Sequence, residues 1–68
     1  MFDSAYVIRD IDLDRYLTRA VDIPCWSIIT EALFFRSYEE ALARLNKEAE
    51  VYPDEMSGRI LQIVKVLN

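Results

Sequence analysis

The sequence contains no histidine, one cysteine and one glycine. Without histidine, the usual zinc ligand sets and the commonest general base of enzymes cannot be assembled. A single cysteine excludes an intramolecular disulfide. The sequence also has no glycine-rich loop of the kind that binds phosphates. We therefore predict a protein that is not an enzyme and that uses no cofactor and no metal.

Long apolar runs and a basic charge excess are also missing. No apolar run reaches the roughly 18 residues that a bilayer-spanning helix requires, and residues 1–4 lack the basic and apolar regions of a signal peptide. The formal net charge of −4 opposes binding to nucleic acid and to anionic membranes. We expect a cytoplasmic protein with no membrane contact, for which nucleic acid is a disfavoured partner.

The composition is that of a folded chain, since 53% of the residues are hydrophobic. Sixty-eight residues predict a single domain over residues 1–68. At this size one hydrophobic core supplies only a few kcal/mol after conformational entropy is subtracted. Close packing or self-association must therefore compensate for the missing disulfides.

The first third of the chain predicts a β-hairpin. Residues 5–9 and 15–19 are rich in aromatic and β-branched side chains, which favour strands. The acidic residues between them favour a turn. Residues 20–25 contain Pro24 and indicate a loop or a sheet edge. The apolar segment that follows predicts a turn at residues 28–32 and a short third strand at residues 33–36, although periodicity alone does not separate strand from helix here.

A helix is predicted from Tyr38 to Glu50. Ser37 is the expected N-cap, its hydroxyl accepting a bond from the N–H of Glu40 while the Glu40 carboxylate accepts from the N–H of Ser37. The expected core face consists of Tyr38, Ala41, Leu42, Leu45 and Ala49. Pro53 ends the helix, and a loop is expected over residues 54–58.

Residues 59–67 predict the last strand, which is largely apolar on both faces. Such a strand is expected in the middle of a sheet that is covered on both sides, yet one helix covers only one face. We predict an α+β domain in the order β-β-β-α-β, with an antiparallel sheet of three to four strands packed on one helix. Loops or a second protein chain would cover the other face.

The succession of these segments resembles a diffuse group of small bacteriophage proteins. The residues that carry the resemblance are Tyr6-Val7-Ile8-Arg9, Tyr16-Leu17, Trp26, Thr30-Glu31-Ala32, Phe35, Ser37, Glu39-Glu40-Ala41 and Ile63-Val64-Lys65-Val66. The chain departs from the pattern in its first turn, which lacks glycine, and in the loop before Trp26. The resemblance implies an α+β domain of phage type that binds a host factor, and it transfers no residue role.

Three aspartates alternate in the predicted turn, Asp10, Asp12 and Asp14, as at the start of an EF-hand loop. The remainder of that loop does not match, because Arg15 occupies the position of the glycine and Val21 that of the bidentate glutamate. A solvated acidic turn is therefore favoured over a calcium site.

Cys25 and Trp26 are two further candidate site residues. Cys25 has no histidine to act as its base and is expected to be a buried or half-buried thiol. Trp26 is compatible with a core position or with an exposed interface anchor.

The sequence leads to a non-catalytic interaction protein as the function hypothesis. We predict a phage-encoded inhibitor or modulator of a host protein that acts by steric occlusion. The candidate apolar contacts are Trp26, Leu61, Ile63 and Leu67, which one helix is expected to leave uncovered, and the turn aspartates would steer the protein toward a basic target. The alternatives are a structural homodimer and a nucleic-acid-binding module that uses Arg9, Arg15 and Arg19.

Overall fold

A computed structural model of the protein describes residues 4–18 and 23–67. The elements in chain order are strands β1 (Ser4–Asp10), β2 (Arg15–Thr18) and β3 (Cys25–Ser27), helices α1 (Tyr38–Val51) and α2 (Pro53–Met56), and strand β4 (Leu61–Leu67). A short 3-10 helix, Ile29–Glu31, lies between β3 and α1. The predicted α+β fold with the order β-β-β-α-β is confirmed.

The four strands form one antiparallel sheet in the order β3-β2-β1-β4. The predicted hairpin is confirmed as β1 and β2, with Arg9 opposite Tyr16. Its turn closes at Asp14, whose φ of 55° is left-handed, a conformation that aspartate tolerates better than most residues. β1 pairs along its whole length with β4, from Ser4 opposite Leu67 to Asp10 opposite Leu61.

β4 is an edge strand, so the prediction that it lies in the middle of the sheet is wrong. Its exposed residues, Gln62 and Lys65, lie on opposite faces and interrupt each apolar face once. The apolar character of both faces therefore reflects half-burial next to β1, and it does not require a neighbour on each side. The central strands are β1 and β2.

The segment between β3 and α1 differs from the prediction. The expected turn is confirmed as the 3-10 helix, but the third strand is formed by Cys25–Ser27 and not by residues 33–36. Residues 32–35 instead make isolated bridges, Ala32 with Thr18 and Phe35 with Tyr6. The apolar run has no period of two, and so its pattern did not indicate which part would pair.

Helix α1 begins where the sequence indicates. The Ser37 hydroxyl accepts a bond of 3.1 Å from the N–H of Glu40, which confirms the cap. The Glu40 carboxylate accepts from the N–H of Arg36, also at 3.1 Å, and not from that of Ser37 as predicted. The expected loop at residues 54–58 is partly helical, because Pro53 occupies the first turn of α2, where its missing N–H costs nothing.

The core lies between α1 and one face of the sheet. Ile8, Leu17 and Ala41 are fully buried there, and five half-buried residues pack around them: Tyr6, Trp26, Phe35, Leu45 and Ile63. The helix is rotated relative to the prediction, since Glu48 is buried while Tyr38 and Leu42 are 48% and 37% exposed. The small side chain of Ala41 meets the sheet, which leaves part of the apolar stripe outside.

Candidate functional site

A buried ion pair lies where β1 ends. The Asp10 side chain is 2% exposed, and its Oδ2 accepts a bond of 2.7 Å from Nη1 of Arg59. Its Oδ1 accepts a bond of 3.2 Å from the N–H of Leu13. The guanidinium carbon of Arg59 lies 4.8 Å from the centre of the Trp26 ring, and its Nε donates to the carbonyl of Glu55 at 2.7 Å. The cluster joins β1, β3, α2 and the start of β4.

These contacts set the charge of Asp10. Burial opposes the ionised form and by itself would raise the pKa of the Asp10 carboxyl. The bond from Arg59, the backbone bonds from Leu13 and Asp12 and the nearby positive charge outweigh burial, so that this pKa lies below its ordinary value. Asp10 is therefore an anion that is already paired within the fold.

The structure changes the expected role of the acidic turn. Asp10 was predicted to steer the protein toward a basic target, but it is buried and paired with Arg59, so its charge is not available to a partner. Asp14 forms an ion pair of 2.7 Å with Arg9, and this bond raises the pKa of the Arg9 guanidinium. Asp12 is exposed. Of the three aspartates, Asp12 is the one best placed to contribute to a surface.

The predicted apolar contacts do not form an uncovered face. Ile63 lies opposite Ile8 in the sheet and packs with it in the core under α1, and Trp26 packs against the same core. The expectation that one helix leaves them uncovered is wrong for these two residues, because they share the face that the helix covers. Leu61 is half-buried, and the side chain of Leu67 lies outside the described part.

Trp26 packs against the core but buries one polar atom without a partner among the described residues. Its Nε1 is buried and has no hydrogen-bond partner among the described residues, while Arg59 covers the ring. Of the two positions that the sequence leaves open for Trp26, this packing agrees with the core position. Its neighbour Cys25 is exposed, so the expectation of a buried or half-buried thiol is wrong, and the Cys25 thiol contacts the carbonyl of Ile23 at 3.5 Å.

Exposed apolar side chains occur at the end of the sheet that carries the acidic turn. Ile11 and Leu13 in the turn are 40% and 51% exposed, and Ile60, just before β4, is 56% exposed. The N–H of Ile11 donates to the carbonyl of Ile60 at 2.9 Å, which holds the turn against the start of β4. We call Ile11, Leu13 and Ile60 the tip patch.

The tip patch was missed at the level of sequence. The run Asp10-Ile11-Asp12-Leu13-Asp14 indicates a solvated acidic turn, and this interpretation leaves the two apolar residues between the aspartates without a role. Once Asp10 turns inward to Arg59, Ile11 and Leu13 are left on the outside of the turn. The alternation of acidic and apolar residues in the turn is the sequence signal that indicates this surface.

The arginines of the hairpin do not form a strip. Arg9 lies opposite Tyr16 and Arg15 lies opposite Asp10, so Arg9 and Arg15 are on opposite faces of the sheet. Arg9 is paired with Asp14, and Arg19 lies outside the described residues. The geometry gives no support to the nucleic-acid alternative in this part of the chain.

Within residues 4–18 and 23–67, no three acidic or cysteine side chains come together as ligands for a metal ion. The same part of the chain contains no helix of the length and apolarity needed to cross a bilayer. Comparison of the chain with models of protein families, with curated proteins and with solved structures gave no match. The resemblance to phage proteins therefore stays a prediction.

Proposed function

We propose that this protein is a non-catalytic interaction module that binds another protein through the tip patch and blocks the surface it covers. The observation that supports the proposal most directly is the exposure of three large apolar residues, Ile11, Leu13 and Ile60, around one turn. Interfaces are typically anchored by a few apolar side chains inside a polar rim. Asp12 supplies such a rim residue.

The rigidity of the turn favours the same function. Asp10 accepts bonds from Leu13 and Arg59, its carbonyl accepts from the N–H of Asp14 at 2.8 Å, and Ile11 is bonded to Ile60. A surface fixed in this way loses little conformational entropy when it binds. The tip patch is therefore preorganised for a contact.

The target follows from the resemblance and from charge. If the chain is of phage type, as the resemblance implies, the partner is a bacterial host protein. The net charge of −4 favours encounter with a basic surface, and exposed Asp12 lies within the turn that would make the contact. Steric occlusion requires no catalytic group.

Affinity capture from bacterial lysate tests the proposal with three forms of the protein. The first is the wild type, and the second carries Ile11→Thr and Leu13→Ser. The third, a matched control, carries Ile23→Ser, which changes an apolar residue of 50% exposure outside the tip patch. We expect one stoichiometric partner that the wild type and the control retain and that the tip variant loses.

The captured protein is then purified and its activity measured with each form. Inhibition by the wild type and the control, with at least about a tenfold weaker effect of the folded tip variant, would support occlusion through this surface. Recovery of no stoichiometric partner, or equal capture by the folded tip variant, would contradict the proposal.

A further inference from the structure

The outer edge of β4 presents a row of backbone groups that no strand within residues 4–18 and 23–67 pairs with. Because the carbonyl of Ile60 accepts from the N–H of Ile11, the residue that follows β1, residue 60 and every second residue after it direct their N–H and C=O groups toward β1. The groups of the alternate residues point away from the sheet: Leu61, Ile63, Lys65 and Leu67. No strand in the described part of the chain pairs with them.

The two edges of the sheet differ in their protection. β3 has three residues, follows the buried Pro24 and is succeeded by the 3-10 helix, all of which limit pairing with another strand. β4 has seven residues, no proline and one charged residue, Lys65. An edge of this length and apolarity is a template for a further strand.

Helix α1 carries an apolar flank that the sheet covers only in part, since Leu45 packs in the core and the Tyr38 ring meets that of Tyr6 edge-on. Each residue of a helix is rotated by about 100° about the axis relative to the one before it. Four apolar residues therefore lie on one side of Ala41, at rotations of about 40° to 100° from it: Leu45, Tyr38, Ala49 and Leu42. Tyr38, Leu42 and Ala49 are exposed. The opposite flank is mostly charged and consists of Glu40, Arg44, Lys47 and Val51.

We expect the topology to turn this apolar flank toward β4. Phe35 pairs with β1 antiparallel, as β4 does. The segment at Phe35 and strand β4 are therefore parallel to each other and lie on either side of β1, and α1 connects them. Connections of this kind are right-handed in nearly all proteins. With Ala41 facing the sheet, a right-handed connection places Leu42 on the β4 side of the helix.

We infer that β4 and the apolar flank of α1 together form the contact with a second copy of this chain. Antiparallel pairing of two β4 strands about a twofold axis places both helices on the same face of a continuous sheet. Each α1 lies over β1 and β4. With strands about 4.8 Å apart, the two helix axes are about 10 Å apart, which is a normal distance for packed helices.

A second copy of the chain covers the β4 edge and the apolar flank of α1 at the same time. An extended peptide pairs with the edge but leaves Tyr38 and Leu42 exposed. In a dimer centred on Val64, Lys65 lies opposite Ile63 of the other copy, and no like charges are directly opposed. The contact is independent of the tip patch.

Sedimentation equilibrium over low to high micromolar concentrations tests this contact with two pairs of variants. Lys65→Pro removes an outward N–H from the edge while leaving the bonds to β1 intact, and Lys65→Thr removes the same charge but keeps the N–H. Leu42→Glu places a charge on the apolar flank, and Ala43→Glu places it on exposed helix surface outside that flank.

We expect a wild-type dimer that Lys65→Thr and Ala43→Glu preserve, whereas Lys65→Pro and Leu42→Glu raise the dissociation constant about tenfold or more. Circular dichroism establishes which variants are folded. A monomeric wild type, or a dimer unchanged in folded Leu42→Glu, would overturn the inference. If Lys65→Pro does not fold, the comparison of Leu42→Glu with Ala43→Glu decides.

Discussion

Replacement of Arg59 by methionine should destabilise the fold in a way that depends on pH. The substitution removes the cation that pairs with Asp10 at 2.7 Å but keeps an unbranched side chain able to contact the Trp26 ring. Breaking a buried ion pair by removing one partner costs about 3–5 kcal/mol. Because the Arg59 side chain is 27% exposed and so partly hydrated, we expect the lower end, about 3 kcal/mol near neutral pH.

The sign of the pH dependence follows from the state of Asp10. In the wild type its pKa is lowered, so the ion pair stabilises the protein above the unfolded-state pKa of about 3.9, and this contribution is lost as the pH falls through the folded-state pKa. In Arg59→Met the carboxyl stays buried without its cation, and we expect its pKa to rise above that of the unfolded chain. The variant then loses stability as the pH rises through the raised pKa.

Urea unfolding of both proteins at about pH 3 and about pH 7 measures this difference. The loss in free energy of unfolding caused by Arg59→Met should be smallest in acid. It should grow with pH by about 1.4 kcal/mol for each unit by which the folded-state pKa of Asp10 in the variant exceeds that in the wild type. Lys47→Met is the matched control, an exposed cation whose loss should change stability by less than about 0.5 kcal/mol. Equal losses from Arg59→Met at both pH values would refute the reasoning.

Two further predictions concern local structure. Ser37→Ala removes the acceptor of the Glu40 N–H and should lower the free energy of unfolding by about 1 kcal/mol, measured in urea, whereas Ser37→Asp should retain the cap and most of that stability. Asp14→Asn tolerates the φ of 55° and loses only an exposed ion pair, so we expect a change below about 1 kcal/mol. Asp14→Val should cost about 1–3 kcal/mol more, because a β-branched residue is strained at this φ. Equal thermal shifts for the two Asp14 variants would contradict that explanation.

The elements with local signals were predictable from the sequence. The cap at Ser37 and the end of α1 near Pro53 depend on neighbouring residues, and the hairpin depends on the acidic turn between two apolar segments. The position of the third strand was not predictable, because a continuous apolar run contains no period that distinguishes the Trp26 segment from the Phe35 segment.

Features that depend on distant contacts were also missed. The pairing of Asp10 with Arg59 spans 49 residues, and no local pattern marks an aspartate in a turn as buried. The rotation of α1 places Ala41 in the core with Ile8 and Leu17, and periodicity alone does not specify which apolar residue of the helix takes that position. The surface candidates changed for the same reason: Ile63 and Trp26 turned inward with the core, and Ile11 and Leu13 turned outward.

The long ladder between β1 and β4 has a consequence for the order of folding. β1 pairs along its full length with residues 61–67. The hairpin, β3 and α1 can therefore form first, but the sheet is complete only when β4 has joined it. Pairings of such large sequence separation close slowly compared with a hairpin or a helix. Until β4 pairs, the edge of β1 that faces it stays open. The pairing of β4 with β1 is therefore expected to form after the hairpin and α1.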